Sequence, residues 1–194
     1  IGGQLEIFNN PTLSSLEGLD YLTSIGGNLK IPVNPSLLCL TGLENLTSVG
    51  GNLEFWRNDS ITILTGLENL TSIGADLYIG TNNSLLSLSG LENLTSIGGT
   101  LRIMSNSSLT SLAGLENIDG TSISYLDIRD NSSLSTCEVQ SICDYLATPD
   151  ASLLIHANAP GCNSAAEIKE ACLTLGIEEA QSEQGFLVFP NPFT

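Results

Sequence analysis

One histidine, five cysteines and a recurring acidic column are the side chains whose chemistry has to be weighed first. His156 is the sole imidazole in 194 residues. Metal sites and Ser–His–Asp arrangements need further ligands or a positioned nucleophile beside such a ring. The G-x-S-x-G, H-E-x-x-H and phosphate-cradling glycine signatures do not occur in the sequence. Glu44, Glu68, Glu92 and Glu116 repeat every 24 residues, headed by Asp20. Glycoside hydrolysis needs two carboxylates converging on one bond. A stack of like charges roughly 5 Å apart repels instead, and is expected to splay into solvent. Calcium loops gather several oxygen ligands within a dozen residues. The nearest candidate is DIRDNSS, with Asp127 and Asp130. These readings assign no catalytic residue, no metal site and no cofactor.

Cysteine placement is more informative. Cys137, Cys143, Cys162 and Cys172 crowd the last third of the chain, with Cys39 apart and no C-x-x-C pair. That clustering predicts a disulfide-stapled end and an oxidising compartment. The formal charge of −16 disfavours nucleic acid and anionic lipid as partners, and suits solubility, cationic partners or neutral glycans. No run of 18 apolar residues suggests a membrane span. Ile1 is not a natural start, so a processed or engineered N-terminus is expected.

The elements that must hold these residues are set by a 24-residue period. GLENLTSVGG at 42–51 returns as GLENLTSIGA at 66–75 and GLENLTSIGG at 90–99, with GLDYLTSIGG at 18–27. Apolar columns run through Ile1, Ile25, Val49, Ile73 and Ile97, and through Leu5, Leu29, Leu53, Leu77 and Leu101. A third passes through Ile7, Ile31, Phe55, Ile79 and Ile103, and a fourth through Leu13, Leu37, Ile61, Leu85 and Leu109. A sixth coil, one residue out of step, carries Leu126, Ile128 and Leu134, and a degenerate seventh carries Leu153 and Ile155. Leu-x-Ile is the period of a strand with both side chains inward. Leucine at every third residue, as at 16, 19 and 22, fits 3₁₀ turns or corners. Gly18, Gly42, Gly66, Gly90 and Gly114 mark one corner, and the pairs at 26–27, 50–51 and 98–99 another, where glycine is expected to supply unusual backbone angles. Asn10, Asn34, Asn58, Asn82, Asn106, Asn131 and Asn158 form a further row. Buried amides there would satisfy corner backbone groups; a ligand-binding row is the other reading. No coil can hide its leucines alone, so the coils must stack.

The fold class that follows is mainly β: a single-chain β-solenoid of about six 24-residue coils and a degenerate seventh, with a helical, disulfide-stapled C-terminal cap. Val139, Ile142, Cys143 and Leu146 have helical spacing, with Ser135 and Glu138 as a capping box. Ser164 and Glu167 cap a second helix ending at Gly176. If the two helices lie parallel, Cys137–Cys162 and Cys143–Cys172 are favoured over the two other connectivities, leaving Cys39 as a free, partly buried thiol. The organisation reads as solenoid 1–136, cap 137–176, then a linker and tail 177–194.

The stretch LTSIGGNLKIPVNPSLLCLTGLENLTSVGGNLEF resembles the receptor L-domain family, relatives of leucine-rich repeats, over about residues 1–160. That resemblance implies a right-handed solenoid whose exposed sheet binds partners. The tail FLVFPNPFT, 186–194, is similar to the opening of the C-terminal sorting domain of bacterial type IX secretion cargo, with Pro190, Asn191 and Pro192 as its start. It stops where that family continues, which implies a shortened or processed chain, secreted or on the outer surface of a Gram-negative bacterium. A bacterial source also makes N-glycosylation at the repeat's Asn-x-Ser/Thr triplets, such as Asn45, Asn69 and Asn93, a poor expectation.

Comparing coils with each other locates the expected binding face. Inward positions barely change between coils, whereas outward strand positions read Glu6, Lys30, Glu54, Tyr78, Arg102, Asp127 and, two residues on, Phe8, Pro32, Trp56, Gly80, Met104, Arg129. The first set alternates in charge and is expected to pair across strands. The second sets apolar groups outward, with Gly80 expected to leave one side of Trp56 bare. Phe8, Trp56, Arg57, Tyr78, Arg102 and Met104 are therefore the candidate contacts of a non-catalytic binding or adhesion module for a protein or glycan at the cell surface. The alternatives are a carbohydrate-active solenoid enzyme, a structural spacer, or an ice-binding array on Thr23, Thr47, Thr71 and Thr95.

Overall fold

The computed structural model describes residues 1–183, with side chains described through Thr174. Seven strands form one parallel sheet: β1 (Leu5–Glu6), β3 (Leu29–Pro32), β5 (Leu53–Trp56), β7 (Leu77–Gly80), β9 (Thr100–Met104), β10 (Tyr125–Arg129) and β11 (Leu153–His156), adjacent in that order. Between them, β2 (Ser24–Ile25), β4 (Ser48–Val49), β6 (Ser72–Ile73) and β8 (Ser96–Ile97) form a second, four-stranded parallel sheet. The register matches the repeat: Leu5, Leu29, Leu53, Leu77, Leu101, Leu126 and Leu153 lie opposite one another in one column. The chain is a β-solenoid, and the seventh coil is β11.

The aliphatic columns form one continuous buried stack from Leu16 to Ile168. The first coil is only half covered: Leu5, Ile7, Leu13, Leu19 and Leu22 are partly buried, and Ile1, the head of its column, is 55 % exposed. Leucines at every third residue make N–H to C=O bonds three residues back, as in Leu43 to Leu40 and Leu46 to Leu43, so the corner is a chain of tight turns.

The two glycine corners have different causes. Gly42, Gly66, Gly90 and Gly114 have φ between +105° and +113°. A Cβ on Gly66 would also sit 2.3 Å from the carbonyl oxygen of Leu40. Gly26, Gly50, Gly74 and Gly98 show no positive φ, which corrects the expectation of unusual angles there. They are glycine because the coils touch: a Cβ on Gly50 would lie 2.5 Å from the Gly26 oxygen.

The asparagine row is a ladder. The N–H of Asn34 donates to Asn58 Oδ1, that of Asn58 to Asn82 Oδ1, and that of Asn82 to Asn106 Oδ1, each at 3.0 Å. Each Nδ2 reaches back to the preceding coil's strand, as Asn58 to the Ile31 carbonyl at 2.8 Å. Asn34, Asn58, Asn82, Asn106 and Asn131 are fully buried. Asn10 is exposed at the open end, and Asn158 closes the other, with its Nδ2 on the carbonyls of Ile128 and Cys162. Entering this corner sets the residue before each asparagine left-handed: Asn9, Val33, Arg57, Thr81, Ser105, Asp130 and Ala157 all have φ between 54° and 60°. That geometry costs a non-glycine residue about 1–2 kcal/mol, and the ladder bonds of the following asparagine hold it in place.

At the cap, α1 spans Gln140–Ala147 and α2 spans Ala165–Glu183. Disulfides join Cys137–Cys162 and Cys143–Cys172, and Cys39 is a free, half-buried thiol that accepts a bond from the Thr41 hydroxyl. Three expectations are corrected. The Ser135/Glu138 capping box does not form: the N-cap of α1 is Val139, without a side-chain bond, and Glu138 binds the Cys137 N–H instead. Ser164 does cap α2 through the Glu167 N–H, but the Glu167 carboxylate accepts from Gly161 and Asn163. Finally, α2 does not stop at Gly176; it takes up residues 177–183 of the expected linker. The proline-rich tail at 186–194 lies outside the described residues. Among those described, no helix is long and apolar enough to cross a membrane.

Candidate functional site

The outward face of the seven-stranded sheet carries the candidate residues, aligned by strand register. Lys30 of β3 lies opposite Glu54 of β5, and their side chains form an ion pair at 3.0 Å. Tyr78 is next in that row, followed by Arg102 and Asp127. Asp127 is only 2 % exposed. Burial of a carboxylate demands partners, and it has two: Arg102 Nε donates to Oδ2 and Arg129 Nε to Oδ1, both at 2.9 Å. Arg129 Nη1 also lies 3.6 Å from Asp130. Both oxygens of Asp127 thus bind guanidinium, and among the described residues no carboxylate, imidazole and thiol groups cluster as metal ligands.

The second outward row runs Pro32, Trp56, Gly80, Met104, Arg129 and His156. The space over Gly80 is not bare. A Cβ there would collide with the ring and hydroxyl of Tyr78, so the phenol lies across the glycine and fills the gap between Trp56 and Met104. Arg57 is not on the sheet. It occupies the left-handed corner after β5, at φ 56°, with its guanidinium 5.6 Å from the centre of the Trp56 ring. That is within range of a cation–π contact.

Two grooves flank Tyr78. One, of about 440 Å³, is lined by Trp56, Arg57, Tyr78 and Thr81. The other, of about 250 Å³, is lined by Asn52, Glu54, Asp76, Tyr78, Thr100 and Arg102. Trp56, Arg57, Tyr78 and Arg102 therefore come together. Met104 borders the same region, with Arg129 Nη2 3.9 Å from its sulfur. Phe8 is 55 % exposed but lies beyond β1, lines neither groove and does not join the others. Burial raises the Tyr78 pKa above its ordinary value near 10, against the pull of Arg102, Arg129 and Arg57 toward the phenolate. The hydroxyl is thus a neutral donor at physiological pH, close to three guanidinium groups.

The charge alternation of the first row pairs as expected at Lys30–Glu54 and Arg102–Asp127. Two side chains are under-read by the sequence. Asp127 shows there only as a weak calcium ligand and as one charge in a row; its role as a buried anchor needs the register that sets it beside Arg102. Thr81 carries no signal of its own. The acidic column faces solvent in part, with Asp20, Glu92 and Glu116 exposed and Glu44 and Glu68 half-buried, but its carboxylates are anchored rather than loose. Each accepts the N–H of the glycine two residues earlier, at 2.7–2.9 Å, and Asp20 does the same for Gly18. The hydroxyls of Thr47, Thr71 and Thr95 donate to the preceding coil's threonine carbonyl. His156 is exposed on the edge strand β11.

No family profile, curated protein or solved structure matches this chain, so its functional reading rests on the geometry of this face and on its sequence.

Proposed function

We propose that the protein is a secreted or cell-surface binding module, non-catalytic, whose seven-stranded sheet presents the Trp56–Tyr78 region to a protein or glycan. One observation carries this: on a core whose inward columns barely vary, the outward rows differ from coil to coil and gather an indole, a phenol and guanidinium groups beside two grooves. Aromatic side chains with polar tips dominate binding hot spots and stack on sugar rings. Two disulfides fit an oxidising, extracellular setting. Placement on the outer surface of a Gram-negative bacterium rests on the sorting-domain resemblance of the tail.

The carbohydrate-active enzyme is the competing reading, since Glu54 and Asp76 share a groove. Both carboxylates have structural partners. Glu54 holds Lys30 and Asn52, and Asp76 accepts the Thr100 N–H at 2.7 Å. A glycan array and a pull-down from the bacterial surface, run with wild type, Trp56→Ala and Phe8→Ala, test the proposal. The expected outcome is a partner lost on Trp56→Ala and kept on Phe8→Ala, with Tm nearly unchanged in both. A partner retained by Trp56→Ala places the site elsewhere. Hydrolysis of a polysaccharide abolished by Glu54→Gln would favour the enzyme.

A further inference from the structure

The chemistry of the ligand can be narrowed from the distribution of charge, provided the sheet face is the binding surface. The chain has 21 acidic residues and five basic ones. Four of those five, Lys30, Arg57, Arg102 and Arg129, stand on or at the margin of this one face; only Lys169 lies elsewhere, in α2. Arg102 and Arg129 are both held to Asp127 through Nε, and the Nη groups of Arg129 lie against Asp130 and the Met104 sulfur. Arg57 makes no ion pair among the described residues and is steadied by the indole beneath it.

The two grooves differ in sign. The smaller is lined by two carboxylates, Glu54 and Asp76, against one cation, Arg102, whereas the larger has Arg57 and no acidic residue. At about 440 Å³ the larger groove falls in the range of small-ligand sites. A neutral sugar would gain nothing from that difference; a carboxylated one would be drawn to the larger groove and repelled from the smaller.

We propose that the Trp56–Arg57–Tyr78–Thr81 groove binds a carboxylate-bearing sugar, a hexuronate unit of an acidic glycan. The aromatic groups take its apolar ring face, Arg57 takes the carboxylate in a charge-assisted pair, and the Tyr78 and Thr81 hydroxyls meet its ring hydroxyls. Because the chain as a whole carries −16, long polyanions are repelled at a distance and short oligomers are bound best.

Calorimetry with galacturonate, glucuronate and mannuronate tetramers, each against its own methyl ester, tests this directly. The ester keeps the sugar and removes the charge. At least one acid should bind tenfold or more tightly than its ester, and Arg57→Gln should reduce that ratio to near one. Equal binding of every acid and ester, lost on Trp56→Ala, would overturn the carboxylate assignment while preserving the binding face. A preference for the acid that survives Arg57→Gln would also overturn the assignment to this groove. No binding of any sugar, with a protein partner captured through Trp56, would overturn the glycan while keeping the face; capture that ignores Trp56→Ala removes both.

Discussion

The two sheets of this solenoid expose their outer faces under opposite rules. Beside the narrow sheet, Asn45, Asn69, Asn93 and Asn117 are all exposed, yet they are identical in four successive coils. Each gives its Nδ2 to a carbonyl of the coil before, at 2.6–2.7 Å. Thr47, Thr71 and Thr95 do likewise. On the broad sheet, outward neighbours in register are Glu54, Tyr78 and Arg102, or Trp56, Gly80 and Met104. Exposed and uniform here means bonded to the backbone of the adjacent coil; on the variable face the coils meet instead through side-chain pairs, Lys30–Glu54 and Arg102–Asp127, and Trp56 takes part in neither. A coil can change Trp56 without its neighbours noticing; it cannot change Asn58.

Substitutions can break or sharpen this contrast. The largest effect is expected at the ladder. Asn58→Leu leaves the buried Asn34 N–H without its acceptor and the Ile31 carbonyl without its donor. With about 1–3 kcal/mol for each orphaned buried group, denaturant unfolding should show a loss of about 3 kcal/mol. Next come two glycines with nearly the same backbone angle. Gly18→Ala meets nothing within 4 Å at φ +101°, so only the angle is penalised, by about 1–2 kcal/mol. Gly66→Ala adds a collision with the Leu40 carbonyl at φ +113° and should cost clearly more. Equal losses would mean that the coils are less tightly stacked than described. Asn69→Ala, on the uniform exposed face, removes a single bond to the Glu44 carbonyl and should cost about 1 kcal/mol. The smallest stability effect belongs to Gly80→Ala. The three atoms nearest the added methyl all belong to the far end of Tyr78, which can swing aside, so stability should stay within about 0.5 kcal/mol while partner binding falls.

The phenols supply a pH test. Burial raises the pKa of both Tyr78 and Tyr145, so the folded chain holds these protons more tightly than the unfolded one. Their stabilising contribution is complete below about pH 10 and is lost as pH rises through the folded values. Unfolding midpoints should therefore drop above pH 10, and absorbance titration of Tyr78→Phe should lack one of the late-ionising phenols.

What could be read from the chain, and what could not, divides along the same line. Stacking places identical residues on one another, so the Leu, Ile and Asn columns and the role of the ladder were visible from the period alone. The disulfide pairs follow from setting the two cap helices parallel, although the capping box at Ser135 and Glu138 does not form, and Cys137 beside it is buried in the core. The face was harder. Strand register showed which side chains are neighbours but not where long ones lie. The sequence suggested a bare flank beside Trp56 at Gly80; Tyr78 lies down over that glycine, which a row of residue types cannot reveal. Nor could it place Arg57 at a left-handed corner, since the seven residues in that column share no side-chain type.

Asn58 and Trp56 stand two residues apart on one coil, one turned into the stack and the other away from it. The difference between the unfolding free energies of Asn58→Leu and Trp56→Ala, measured side by side, is the most direct check on the account. It should be at least about 2 kcal/mol, with the ladder variant the less stable. Equal losses, or a tryptophan variant that unfolds first, would contradict a fold carried by its inward columns with an outer face left free for binding.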